Sequence, residues 1–308
     1  MRKIGMSAAA LVALGFATSA TAADLAPAPF TKAPPMVTVG WTGFYGGLNL
    51  GYGTGADSRD TGGQTWYQNM SGFFGNPTPG ATEWNGSGGP AWNTSSNLNG
   101  VIGGGQIGYN WQVNPWLVLG LETDLQGSDL RGNASATNFT YMNLLPAPAG
   151  GANLWPIAGN LAASQQIDWY GTVRGRAGFT SYGNSLLTYV TGGLAYGNVK
   201  QAFTYTGGFL PDSYLGTPGT NWAGTASSSE TKLGWTVGAG FEWRPQNWGR
   251  WSLKTEYLYT DLGSQTVNLT IPAYLNGNST QVGRSVSASN RMDATFHTVR
   301  VGINYLFN

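Results

Sequence analysis

KLGWTVGAGFEWR, residues 232–244, alternates without a break: Leu233, Trp235, Val237, Ala239, Phe241 and Trp243 fall on one side, and Lys232, Thr236, Glu242 and Arg244 on the other. A repeat of two is the repeat of a β-strand, whose successive side chains point to opposite faces. The stretch carries three glycines, which a helix of this length would tolerate poorly, at about 1 kcal/mol each. It is therefore read as a strand with one continuous apolar face and one face carrying charges of both signs.

Seven further segments read as strands. Residues 245–249 form a short turn, and the strand at 251–260 sets Leu253, Tyr257 and Tyr259 against Lys254 and Glu256. The last, 291–307, sets Val299, Val301, Ile303, Tyr305 and Phe307 against Thr298, Arg300 and Asn304. Upstream, 41–53 separates Phe44, Leu48, Leu50 and Tyr52 from Tyr45 and Asn49, and 98–112 separates Val101, Ile107, Tyr109 and Trp111 from Gln106 and Asn110. After a turn at Val113, Asn114 and Pro115, residues 116–126 alternate Leu117, Leu119, Leu121 and Leu125 with Glu122, Asp124 and Gln126. The segment 166–180 places Trp169, Val173, Ala177 and Phe179 opposite Asp168, Arg174 and Arg176, and a turn at Tyr182, Gly183 and Asn184 follows it. In 185–201 both faces look apolar, so its register stays open.

Eight strands result, with short turns after the second, fourth and sixth and long connections at 54–97, 127–164, 203–230 and 262–290. An even strand number with alternating short and long connections is the pattern of an outer-membrane barrel. The predicted fold is all-β: an eight-stranded antiparallel up-and-down transmembrane β-barrel with four long extracellular loops. A lipocalin-like soluble barrel has the same strand number but must turn its polar face to water. Here the charged face gathers Glu122, Asp124, Arg174, Arg176, Lys232, Glu242, Lys254, Glu256 and Arg300, a mixed-sign set suited to mutual pairing in a narrow lumen. Eight strands leave an interior that side chains just fill. The other face is Leu, Val, Phe, Trp and Tyr, fit for lipid. The predicted lumen network is Glu122, Asp124, Arg174, Arg176, Glu242, Lys254, Glu256 and Arg300, a structural set of ion pairs in preference to a conduction path. Trp111, Trp116, Trp243, Trp248 and Trp251 cluster at the short turns, as an interfacial girdle would.

Composition agrees. Charged residues make up 9% of the 308 and glycine contributes 48, against norms near 25% and about 7%. A water-soluble surface needs more charge than this. Cysteine is absent, which removes disulfides and thiolate metal sites from consideration. Arg2 and Lys3, an apolar run at 8–17 and small residues at 20–23 read as a secretory signal peptide over 1–22. A proline-rich periplasmic linker follows at 23–40, and the barrel domain occupies 41–308. Without Arg2 and Lys3 the chain holds 13 basic residues against 14 acidic ones, a balance that gives nucleic acid no basic surface.

No enzyme is expected. Gly103, Gly105 and Gly108 match a dinucleotide fingerprint, but Tyr109, Asn110 and Trp111 lead into a turn where that motif requires a helix. The single histidine, His297, shares parity with the apolar Val299. Calcium-loop spacing is missing from the connections, and no metal or cofactor is expected.

The stretches WTGFYGGLNLGYG from Trp41, GVIGGGQIGYNWQ from Gly100, DWYGTVRGRAGF from Asp168, TYVTGGLAYG from Thr188, GWTVGAGFEW from Gly234, LKTEYLYTDLG from Leu253 and HTVRVGINYLFN from His297 together resemble the small outer-membrane immunogenic protein or porin family of Gram-negative bacteria. The resemblance covers nearly the whole mature chain. It implies insertion by the outer-membrane barrel assembly machinery, which reads an aromatic C-terminal strand; the chain departs from the pattern by ending on Asn308, so the signal shifts to Tyr305 and Phe307. Some members bind haemin, for which Tyr67 or His297 offers an iron ligand. The partners expected are outer-membrane lipid, the assembly machinery and a surface ligand or haemin, with oligomeric state undetermined. In the first long loop Trp66, Tyr67, Trp84 and Trp92, with Phe73 and Phe74, form an aromatic concentration beyond a connector's needs and are the candidate contact residues. Two functional readings follow: a structural, surface-interacting barrel of the envelope, or a narrow porin-like diffusion channel or haemin receptor.

Overall fold

The computed structural model describes residues 40–56, 60–68, 84–86, 92–94, 96–144, 153–209, 220–272 and 284–307. The signal segment, residues 23–39 of the linker, Phe73, Phe74 and Asn308 lie outside them. The strands are β1 (Gly43–Gly55), β2 (Asp60–Gln68), β3 (Trp84–Gly86), β4 (Trp92–Thr94), β5 (Asn99–Gln112), β6 (Leu117–Leu144), β7 (Asn153–Ser181), β8 (Leu186–Phe209), β9 (Thr220–Trp243), β10 (Trp251–Pro272) and β11 (Arg284–Phe307). Eight of them form an antiparallel ring, β1-β5-β6-β7-β8-β9-β10-β11, which β1 closes on β11 from Phe44 opposite Phe307 to Gly55 opposite Phe296. Closure lets strand backbones pair without a free edge, which hydrocarbon demands.

Through the ring the outward positions are apolar or glycine, apart from Thr123, Thr188 and Thr255, over residues 44–52, 101–111, 117–125, 169–179, 188–196, 233–243, 251–259 and 299–307. Nine to eleven residues per strand is the length a tilted strand needs to cross a bilayer. Aromatic rings mark both margins of this band. At the short turns Trp116 stacks on Phe179, Trp243 meets Trp248, and Trp251 lies edge-on to Tyr305. At the far margin Trp169 meets Tyr196, and Trp235 meets Tyr259. Tyr257 and His297 also share a 2.6 Å hydrogen bond there. The 182–184 turn holds Tyr182, Gly183 and Asn184 all at positive φ.

The strands do not stop at the band. Three of the four stretches expected as loops are largely continuous antiparallel arms: β6 and β7 pair as far as Leu144 opposite Asn153, β8 and β9 as far as Phe209 opposite Thr220, and β10 and β11 as far as Pro272 opposite Ser285. The first connection is also drawn into the sheet, because β2 pairs with β11 from Thr61 opposite Arg291 to Gln68 opposite Arg284, and β3 and β4 pair with β2. That loop therefore does not lie wholly outside the sheet, as the sequence reading had it. Beyond Trp235 opposite Asp261, β9 and β10 no longer pair with each other among the described residues. The arms β6–β9 and β10–β11 instead face one another across an apolar core of Leu161, Ala163, Phe203, Tyr205, Val267, Ile271, Ala288 and Met292. Gln265 donates to Ser228 across the seam at 2.7 Å.

Two one-residue slips lie at the margin between band and arms. In β7 the register changes around Asp168 against both neighbours, and in β10 between Asp261 and Ser264. These are β-bulges, which bend a strand and switch the face its side chains occupy. Gly263 in the second has φ +79, a conformation that favours glycine, and donates its N–H to Asp261 Oδ1 at 2.7 Å.

Candidate functional site

Inside the band the strand repeat turns one row of side chains into the lumen. β6 supplies Glu122 and Asp124, β7 Arg174 and Arg176, β9 Glu242, β10 Lys254 and Glu256, and β11 Arg300, all buried. The structure brings all eight together. Arg174 pairs with Glu122, with Asp124 at 3.0 Å and with Glu256 at 3.1 Å. Arg300 pairs with Glu256 at 2.5 Å and Asp124 at 2.7 Å. Lys254 reaches Glu122 at 2.6 Å, and Arg176 reaches Glu242 at 2.9 Å. Four cations meet four carboxylates, so the charge of this cluster cancels, and the further buried cation, Arg244, lies apart from it over Trp41. Each ion removed from water costs several kcal/mol, and pairing with good geometry is what offsets that cost.

Neutral groups complete the set. Tyr45 donates to Glu122 at 2.6 Å and Tyr189 to Glu256 at 2.9 Å. Asn304 donates to Glu242 at 2.9 Å, accepts from Gln106 at 2.7 Å, and Gln106 in turn accepts from Asn49. The Arg176 guanidinium lies 4.3 Å from the Tyr189 ring centre, a cation–π contact. Space for these long side chains comes from lumen-facing glycines. A Cβ on Gly108 would stand 2.4 Å from Tyr45 Oη, and one on Gly47 would stand 2.1 Å from Asn304 Oδ1. Sequence reasoning placed Tyr45, Gln106 and Asn304 on the inner face without joining them to the network, and it left Tyr189 unassigned because the register of its strand stayed open.

Apolar layers lie on either side of the charges. At the short-turn mouth Trp41, Val118, Leu187 and Tyr189 pack together. Trp41, read from the sequence as the start of the first strand, lies before β1 and is buried. Its indole donates to the Asn184 carbonyl at 3.0 Å, and Arg244 lies over its ring at 4.4 Å. On the other side Leu98, Ile102, Leu130, Ile167, Tyr170, Val199, Leu262 and Phe296 form a cluster across the lumen.

Two residues read onto the charged face stand apart from the network. Asp168 stands at the β7 bulge, where Lys200 holds it at 2.6 Å. Lys232 lies at the margin and pairs with Glu230 at 2.7 Å. Tyr305 and Phe307 end β11 on the outer wall, Phe307 opposite Phe44. Trp66 and Tyr67 are on β2, Trp84 on β3 and Trp92 on β4; their side chains lie outside the described residues. His297 is on the outer wall beside Tyr257 and Tyr259. The three glycines of the dinucleotide-like run belong to β5, which runs into a turn.

The model of the outer membrane protein β-barrel domain matches residues 8–307. The chain belongs to that family. It is 37% identical over 311 residues to a 31 kDa outer-membrane immunogenic protein of Brucella melitensis, an alignment covering 97% of this chain and 98% of the relative. A 22 kDa outer membrane protein of Rhizobium leguminosarum bv. viciae is 30% identical over 190 residues, covering 59% of this chain and 65% of the relative. Among solved structures, OprG from Pseudomonas aeruginosa shares 11% identity with a TM-score of 0.38, covering 88% of this chain and 99% of that one. As a member of the outer membrane β-barrel family, the protein resides in the outer membrane of a Gram-negative envelope. The apolar band is then its lipid contact.

Proposed function

We propose that this outer-membrane barrel is a sealed structural element of the envelope that works through its external surface and conducts little or nothing through its lumen. The observation that carries this reading is the lumen itself. Four buried cations and four buried carboxylates are mutually paired between the Trp41 layer and the Phe296 layer. An ion entering would have to displace those pairs and then cross apolar side chains, each step costing several kcal/mol. The long arms are assigned to the outside, since barrels of this class keep short turns in the periplasm. Their paired backbones would present a stiff surface to partners. The reading includes no catalytic group. Of the two iron ligands offered for haemin, His297 is on the lipid-facing wall and is engaged by Tyr257.

Single-channel recording on the refolded full-length protein tests the seal. The expected trace shows no resolved open level, and a stable, large conductance in the unmodified protein overturns the proposal. Orientation is tested separately by cysteine labelling on intact cells. A cysteine at Ser229, on an arm, is expected to react with an impermeant maleimide, and one at Asn184 is expected to stay silent; labelling at Asn184 alone reverses the assignment.

A further inference from the structure

The outer wall of the β6–β9 arm holds a concavity of about 620 Å³ just beyond the lipid band. Ladder pairing fixes its layout. Arg131, Gln166, Lys200 and Ser229 stand opposite one another on β6, β7, β8 and β9. Asn133 and Ser164 begin the next row. All six belong to the lining. The row just below, toward the membrane, contains Trp169 of the far aromatic margin. The small side chains of the second row leave the floor low, and the β7 bulge at Asp168 bends the wall at this height.

From these placements we infer that the concavity is a binding site for the phosphorylated sugar headgroup of an outer-leaflet glycolipid. Arg131 and Lys200 lie two strands apart, about 10 Å between backbones, so they offer separated phosphate contacts. The hydroxyl and amide groups between them match sugar hydroxyls. Both cations have an acidic neighbour, Asp129 at 2.8 Å from Arg131 and Asp168 at 2.6 Å from Lys200. Neither is saturated: a guanidinium has five N–H donors and an ammonium three. Arg131 and Lys200 remain 63% and 51% exposed at the side chain. A lipid seated there would lay its chains down the wall over Tyr196, Leu194 and Val190, part of the continuous apolar band of β8. Continuity of a polar seat with an apolar track singles out a lipid over a soluble anion. The inference rests on the arms being external, while its test in detergent does not depend on orientation.

The test is native mass spectrometry of the refolded full-length protein in detergent, titrated in parallel with a bisphosphorylated disaccharide lipid, its dephosphorylated counterpart and inorganic phosphate. The expected result is retention of the phosphorylated lipid, with affinity falling on the order of tenfold or more in the Arg131→Ala, Lys200→Ala double variant. Arg291→Ala, on β11 away from the concavity, is expected to bind as the unmodified protein does. Heat-modifiable gel mobility verifies that each variant is folded. Equal retention of the dephosphorylated lipid, competition by inorganic phosphate at the same concentration, or an equal loss in the Arg291 variant would each overturn the assignment.

Discussion

Within the band the wall is apolar outside and charged inside; in the arms the same strands are hydroxylic outside and, past a layer of buried Gln165, Gln201, Gln265 and Asn290, apolar inside. On β9 the outward row runs Trp243, Phe241, Ala239, Val237, Trp235, Leu233 and then Thr231, Ser229, Ser227 and Thr225. On β8 Val190, Leu194 and Tyr196 give way to Asn198 and Lys200. Two devices produce the inversion. β8 and β9 keep their parity and change composition, whereas β7 and β10 also slip by one residue at a bulge. One chain is thereby fitted to two solvents. In the arms, burial of Phe203, Tyr205, Ile271 and Met292 draws on the hydrophobic effect, about 25 cal/mol per Å². In the band the outer apolar surface exchanges lipid for lipid, so specificity falls to the lumen contacts and the backbone ladder.

The contrast between band and arms depends most heavily on Arg174. Its substitution by Leu leaves Glu122, Asp124 and Glu256 sharing fewer cations in a water-poor interior, a loss of about 3 to 5 kcal/mol. The expected outcome is a lower urea midpoint in detergent micelles, read by heat-modifiable mobility, with no gain in conductance. An unchanged midpoint would mean the lumen is hydrated and its ion pairs are dispensable.

A smaller effect sharpens the position of the boundary. Val237 and Thr231 both point outward from β9, on opposite sides of the margin. Val237→Lys places an ammonium in the hydrocarbon and is expected to cost about 2 to 4 kcal/mol, while Thr231→Lys beyond the aromatic margin costs about 0 to 1. Folding titrations into vesicles measure the difference. Equal costs would place Thr231 in the bilayer and the arms with it.

The sequence reading reached the ring, the strand order, the turns and the charged row because unlike faces make alternation visible. It failed where that contrast disappears. Residues 223–231 are Ser, Thr, Ala and Gly with one exposed acid, Glu230, so a strand there has no apolar partner row to display it. In β8 both faces read apolar for a physical reason: Leu187 and Tyr189 close the short-turn mouth, while Ala195 and Val199 join the lumen cluster. The bulge at Asp168 reversed the parity of everything before it on β7, which moved Asp168 out of the predicted lumen face. Tyr45 was legible as an inner-face residue and Tyr189 only as an aromatic strand residue, and the hydroxyl partners of both arrive from strands distant in sequence.

The smallest effect is expected at Lys232. Its hydrogen bond holds the Glu230 carboxyl below the usual carboxylate range, aided by the ammonium's charge. A depressed carboxylate adds stability above its unfolded value, and that contribution is lost as pH falls through the folded one. Glu230 is solvent-exposed, however, and water and salt screen the pair until little of this survives. Lys232→Ala should therefore raise the Glu230 titration point toward its ordinary value, as followed by side-chain carboxyl NMR. Thermal midpoints at neutral pH should coincide with those of the unmodified protein. A clear loss of stability would return Lys232 to the buried network, where alternation alone had placed it, and would shift the margin between lumen and arm by a full row.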